Sequence, residues 1–135
     1  MSDSSPLFGT PDYFAQVKAL LESDGMWAQR SEGVTCSMVY IYGDPMNRAM
    51  KVDFDKGTVT NFQAVDPSSP PSADLVISAR GSVWHQIATQ QLKPTLAMAT
   101  GKLKLKGKQT FVLKNMGAFT RLMELQTQIE VRYDV

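Results

Sequence analysis

Apolar side chains recur at three- and four-residue intervals between Thr10 and the Asp24-Gly25 pair. This period predicts a helix with one buried face. Thr10 is a suitable N-cap, Pro11 fits the first helical position, and Gly25 can follow the last turn. The predicted buried face consists of Tyr13, Phe14, Val17, Leu20 and Leu21.

The period then shortens to the two-residue alternation of strands. Four segments are rich in β-branched and aromatic residues or alternate apolar with polar side chains, which predicts strands. Asp55-Lys56-Gly57 forms a tight turn between the second and third of them. A Pro- and Ser-rich loop follows the third strand, so the first three form a meander. The predicted strands are residues 34–42, 49–54, 58–65 and 73–79.

The rest of the chain alternates short helices with one more strand. Gly81-Ser82 opens a helix, and Pro94 opens a second. Residues 102–106 read as a fifth strand, and residues 110–131 carry one apolar face of a long helix. Strands grouped early with helices around them predict the α+β class.

The length of 135 residues predicts one domain, spanning residues 1–135, with residues 1–9 as a flexible arm. The net charge of +1 does not favour a nucleic-acid partner. The chain starts without the features of a secretory signal, and no apolar run approaches the ~18 residues of a membrane span. We therefore expect a cytoplasmic protein.

The residues that commonly perform catalysis are scarce. Cys36 lies in an apolar strand with no base nearby in sequence, and His85 is the only histidine. Asp53 lies on the polar face of a hairpin strand and Asp55 in the hairpin turn. Both carboxylates are expected to be solvated there, so neither needs a catalytic role. We expect no catalytic residue, no metal site, no cofactor and no enzymatic activity.

Lysines alternate with apolar residues along the fifth strand, at Lys102, Lys104, Lys106 and Lys108. One interpretation is an edge strand whose charges prevent pairing with another sheet. The other is contact with phosphates or anionic lipid head groups. The two interpretations are compatible.

Methionines give a subtler pattern. The chain contains eight, and two of them lie on the last predicted helix in the face Val112, Met116, Phe119 and Met123. Methionine adapts to variable apolar shapes. This face is either ordinary core or the wall of a cavity, because both bury an apolar stripe.

Residues 101–107, Gly-Lys-Leu-Lys-Leu-Lys-Gly, follow Ala97-Met98-Ala99-Thr100. This stretch resembles the hallmark of the sterol carrier protein type-2 family, and the Lys-Pro before it and the order of elements over residues 34–120 also fit. The resemblance implies a five-stranded mixed, mainly antiparallel sheet covered by helices, with a hydrophobic tunnel between them. It also implies noncovalent binding of lipids.

The expected function is the binding and intracellular transfer of a fatty acid, acyl-CoA, phospholipid, isoprenoid or sterol. The expected partners are this lipid and, transiently, an anionic membrane surface; the chain would be a monomer or weak homodimer. The predicted ligand-binding residues are Trp84, Ile87, Leu96, Met98, Leu103, Leu105, Phe111, Val112, Met116, Phe119 and Met123.

Three alternatives stay open at this point. The protein could present lipid to an enzyme complex, such as one of quinone biosynthesis. It could be a structural or oligomeric domain whose cavity has collapsed. It could also be an enzyme that uses His85, which has the least support in the sequence.

Overall fold

The computed structural model describes residues 5–134. Most of the helices follow the early strands, and two precede them. The strands are β1 Cys36–Tyr42, β2 Arg48–Asp55, β3 Thr58–Val65, β4 Leu75–Ala79 and β5 Lys104–Gly107. The helices are α1 Pro11–Ser23, α2 Gly25–Arg30, α3 Gly81–Ala88, α4 Pro94–Ala99, α5 Gln109–Lys114 and α6 Met116–Gln126.

The five strands form one sheet in the order β3-β2-β1-β4-β5. β1 and β4 run parallel, whereas the other neighbouring pairs are antiparallel. The sheet is therefore mixed and mainly antiparallel, which confirms the predicted α+β fold class. β1 lies at the centre, and β5 lies at an edge.

One face of the sheet carries the core because alternate side chains of each strand point to it. Met50, Val52 and Phe54 of β2 are buried as the alternation predicts. Helix α1 covers part of this face, with the ring of Phe14 5.3 Å from the ring of Tyr40 in β1. The start of α1 is also as predicted, because the Thr10 hydroxyl accepts a hydrogen bond from the Tyr13 N–H.

The long helix predicted over residues 110–131 is wrong. The structure divides it into α5 and α6 at Asn115 and ends α6 at Gln126. The Asn115 side-chain amide donates to the Phe111 carbonyl oxygen at 3.0 Å, and such side-chain bonds to the backbone compete with helix continuation. Gly117 adds the low helix propensity of glycine just after the break.

Within the predicted arm over residues 1–9, residues 5–9 contact the rest of the fold, and residues 1–4 lie outside the described part. The Phe8 N–H donates to the Arg132 carbonyl oxygen at 2.9 Å, and the Arg132 N–H donates to that of Pro6 at 2.9 Å. The Phe8 ring lies 4.9 Å from that of Tyr13 and is 3% exposed. Burial of this ring fixes the segment to the core.

Candidate functional site

A cavity of about 410 Å³ lies between the sheet and the helices of the second half of the chain. Its floor is the same apolar face of the sheet that forms the core elsewhere. The floor residues come from β1, β4, β5 and the segment just before β5: Met38, Tyr40, Leu75, Ile77, Leu103 and Leu105.

The walls and roof are apolar residues of α3 to α6 and of the segment that joins α3 to α4. On α5 and α6 the three- and four-residue spacing turns one side of both helices towards the sheet, across the break at Asn115. The residues are Ile87, Leu92, Pro94, Met98, Val112, Met116, Phe119, Leu122 and Met123.

Six polar residues complete the lining, and we call them the polar rim. Three belong to the α3–α4 region, and three follow helical spacing on α6 or just after it. All but Thr127 are exposed, so the cavity opens to solvent where the α3–α4 region faces α6. The polar rim is Gln90, Lys93, Thr95, Thr120, Glu124 and Thr127.

The cavity brings together eight of the eleven predicted ligand-binding residues, and their role in binding stays a prediction. They are Ile87, Met98, Leu103, Leu105, Val112, Met116, Phe119 and Met123. The structure places Trp84, Leu96 and Phe111 outside the lining.

Each of these three residues has another position. Trp84 is 2% exposed in an aromatic cluster, where its indole N–H donates to the Ile41 carbonyl oxygen at 2.9 Å. Leu96 is 53% exposed on the outside of α4. The half-buried Phe111 ring lies 6.0 Å from that of Phe119.

Sequence reasoning did not find Met38, Tyr40, Leu75 and Ile77 among the cavity residues. Their alternation in β1 and β4 identifies them as buried. No pattern along the chain tells whether the space opposite a buried face is filled by side chains or left open.

Beside the cavity, on the core side of the sheet, a buried hydrogen bond joins α1 to α6. The Tyr13 hydroxyl donates to Gln126 Oε1 at 3.1 Å. Burial raises the pKa of both Tyr13 and Tyr40 above that of a free phenol. Both phenols therefore stay uncharged near neutral pH, and the floor presents no charge to a ligand.

The groups considered for catalysis do not converge. The His85 ring stands edge-on to that of Tyr133, with 4.5 Å between ring centroids. The Asp53 carboxylate pairs with Lys51 Nζ at 3.0 Å, and Asp55 is exposed at the hairpin turn. Across residues 5–134, no three His, Cys, Asp or Glu side chains are grouped so that they could hold a metal ion.

Cys36 is buried, and we predict that its thiol is inert in the folded protein. Burial raises the pKa of the Cys36 thiol to about 12, so the reactive thiolate is scarce at neutral pH. Labelling with a disulfide reagent at pH ~8 should be at least ~100-fold slower in native protein than in urea-unfolded protein. Equal rates in the two states would show that the thiol is accessible and contradict this assignment.

The alternating lysines of the fifth strand region do not all have the same surroundings. β5 is an edge strand, as the edge interpretation predicts. Because Leu105 faces the cavity, Lys104 and Lys106 point to the opposite side of the sheet. Lys108 forms an ion pair with Asp74 at 3.1 Å.

Between Ser5 and Asp134, no helix is both long and apolar enough to cross a bilayer.

Comparison with known structures finds the same fold elsewhere. The crystal structure of sterol carrier protein 2 matches 91% of this chain and 99% of its own, with a TM-score of 0.80 and 20% identity. The solution structure of a conserved hypothetical protein from Thermus thermophilus matches 97% of each chain, with a TM-score of 0.78 and 19% identity. Palmitated SCP2L2 from Aedes aegypti matches over 82% of this chain and 90% of its own, with a TM-score of 0.58 and 15% identity.

At these identities the structural likeness shows the fold alone, and no curated protein matches the chain significantly. The family comparison is more specific. The profile described as the SCP-2 sterol transfer family matches residues 18–120. This range covers well over half of the chain and includes the sheet and most of the cavity walls. The chain therefore belongs to the SCP-2 sterol transfer family.

Proposed function

We propose that this protein binds a lipid noncovalently, with its hydrocarbon chain in the cavity and its polar end at the polar rim, and carries it between sites in the cell. The observation that carries the proposal is the contrast within the lining. Floor, walls and roof are apolar side chains, whereas the polar residues are confined to the α3–α4 region and one side of α6.

The energetics favour a long chain. Each methylene removed from water contributes about 0.8 kcal/mol, so ten of them contribute roughly 8 kcal/mol. Association costs on the order of 4 kcal/mol or more. The difference corresponds to a dissociation constant of about 1 mM for that chain, and each added pair of methylenes tightens binding by about tenfold. A chain of about fourteen carbons would then bind with a dissociation constant on the order of 10 μM.

The polar rim suits one polar end group and supplies no reaction. Gln90, Thr95 and Thr120 offer hydrogen bonds, Lys93 offers a positive charge and Glu124 a negative one. A palmitated structure among the relatives supports an acyl chain as ligand, and the family description supports sterol transfer. Both ligand types have one small polar end and one long apolar body, which fits a cavity with a single polar side.

The test is to extract the purified protein with organic solvent and identify any bound molecules by mass spectrometry. The delipidated protein is then titrated with a fluorescent long-chain fatty acid. We expect a copurified lipid and saturable binding with one site per chain. If no lipid copurifies and neither fatty acid nor sterol binds or raises the melting temperature, the proposal is wrong and the collapsed-cavity alternative is favoured.

A further inference from the structure

Charge is distributed very unevenly along this chain. Residues 75–123 contain eight Lys and Arg residues and no Asp or Glu. The remaining residues contain six Lys and Arg and all 13 acidic residues. The chain thus contains a strongly basic segment although its net charge is only +1. This segment forms most of the cavity.

Apolar side chains are exposed in the same segment. Two of them, Met98 and Met116, line the cavity and are also 39% and 40% exposed, so they stand at its opening. Leu113, which follows the cavity residue Val112 on α5, is 70% exposed. We call these three residues, Met98, Leu113 and Met116, the mouth face.

Lysines flank the mouth face in sequence at the ends of α4 and α5. Lys93 precedes α4, Lys102 follows it, and Lys114 follows Leu113 at the end of α5. All three are exposed, and none forms an ion pair within the part of the chain that the structure describes. The mouth face therefore combines exposed hydrocarbon with unneutralised positive charge.

We propose that the mouth face docks on an anionic phospholipid bilayer, so that a lipid enters the cavity directly from the membrane. Leucine and methionine side chains gain by entering the interface between head groups and acyl chains, while nearby lysines gain from anionic head groups. A second copy of the chain fits poorly, because it would bring two basic surfaces together. A nucleic acid would leave Leu113 without an apolar environment.

The docking proposal concerns a surface and goes beyond lipid binding in the cavity. Sedimentation is measured with vesicles of phosphatidylcholine alone and of phosphatidylcholine with phosphatidylserine. We expect binding to the anionic vesicles and a sharp loss at high salt. Leu113→Gln should weaken it about tenfold, and the double change Lys102→Ala, Lys114→Ala about 25-fold, at about fivefold for each lysine.

Matched variants separate this face from bulk charge and from exposed apolar surface elsewhere. Lys104→Ala with Lys106→Ala removes two charges from the opposite side of β5, and Met26→Gln removes a 42% exposed side chain from α2. Both should sediment within about threefold of the wild type. Fatty-acid binding in solution should be unchanged in every variant, because none of the changed residues lines the cavity.

Several results would overturn the docking proposal and leave lipid binding standing. One is fatty-acid binding without sedimentation on anionic vesicles. Another is equal loss of sedimentation in the Lys104/Lys106 and the Lys102/Lys114 variants. A third is displacement from vesicles by soluble phosphoserine or duplex DNA while Leu113→Gln has no effect. Sedimentation that follows the mouth face without fatty-acid binding would support docking and contradict the proposed function.

Discussion

Replacing Met123 with glutamate is expected to lower the affinity for a long-chain fatty acid by at least ~100-fold, or about 2.7 kcal/mol. Met123 lies on α6 and lines the cavity. A bound acyl chain would remove the new carboxylate from water without giving it a partner, which costs several kcal/mol. Glutamate is a good helix former, and the site is only partly buried, so the unliganded fold should persist.

The measurement is a titration with a fluorescent fatty acid, accompanied by a thermal melt of each variant. Met123→Leu keeps the apolar wall and should bind within about threefold of the wild type. Met26→Glu introduces the same charge at an exposed methionine of α2 and should leave affinity unchanged. A folded Met123→Glu protein with wild-type affinity would show that the chain does not occupy this cavity.

The loss of fatty-acid affinity should also depend on where in the cavity the carboxylate is introduced. Met116 lines the same cavity but is 40% exposed at its opening. A carboxylate at this position can stay in contact with water when the lipid is bound. We therefore expect Met116→Asp to weaken binding less than Met123→Glu, although the helical pattern alone places both residues on one face.

The sequence predicted the elements whose patterns are local. The bounds of β3 agree with the prediction over residues 58–65, because a turn with Gly57 precedes the strand and a proline-rich loop follows it. The break at Asn115 was not predictable in this way. The apolar spacing of Val112, Met116 and Phe119 continues in phase across the break. This spacing does not reveal the hydrogen bond from the Asn115 side chain to the Phe111 carbonyl oxygen.

The candidate site was likewise predictable only where a local pattern determines which side chains are buried. The residues of α5 and α6 were found because a helix has one apolar face, and Leu103 and Leu105 because their lysine neighbours fix the other face of the strand. Tyr40 was missed because alternation identifies a buried side chain without saying what lies opposite. An open volume is a property of several elements packed together, and no single segment encodes it.

Trp84 was also predicted to bind the ligand, but its replacement by phenylalanine is expected to cost about 2–3 kcal/mol of folding free energy with no loss of lipid affinity. Trp84 shares α3 with the cavity residue Ile87 but lies outside the cavity lining. Its ring instead lies 4.9 Å from that of Tyr42 and 6.1 Å from that of Tyr40. Substitution removes the hydrogen bond to Ile41 and leaves a void beside these rings.

Trp27→Phe is the matched comparison for Trp84→Phe. Trp27 is equally buried, at 2% exposure, and its indole N–H donates to the Gly57 carbonyl oxygen at 2.9 Å. Trp27 lies beside Phe54, away from the cavity. If Trp84 only supports the core, urea unfolding should show similar losses in both variants, and fatty-acid titration should show wild-type affinity in both. Weaker fatty-acid binding in Trp84→Phe alone would mean that the cavity extends to this indole when lipid is bound, and would restore Trp84 as a ligand contact.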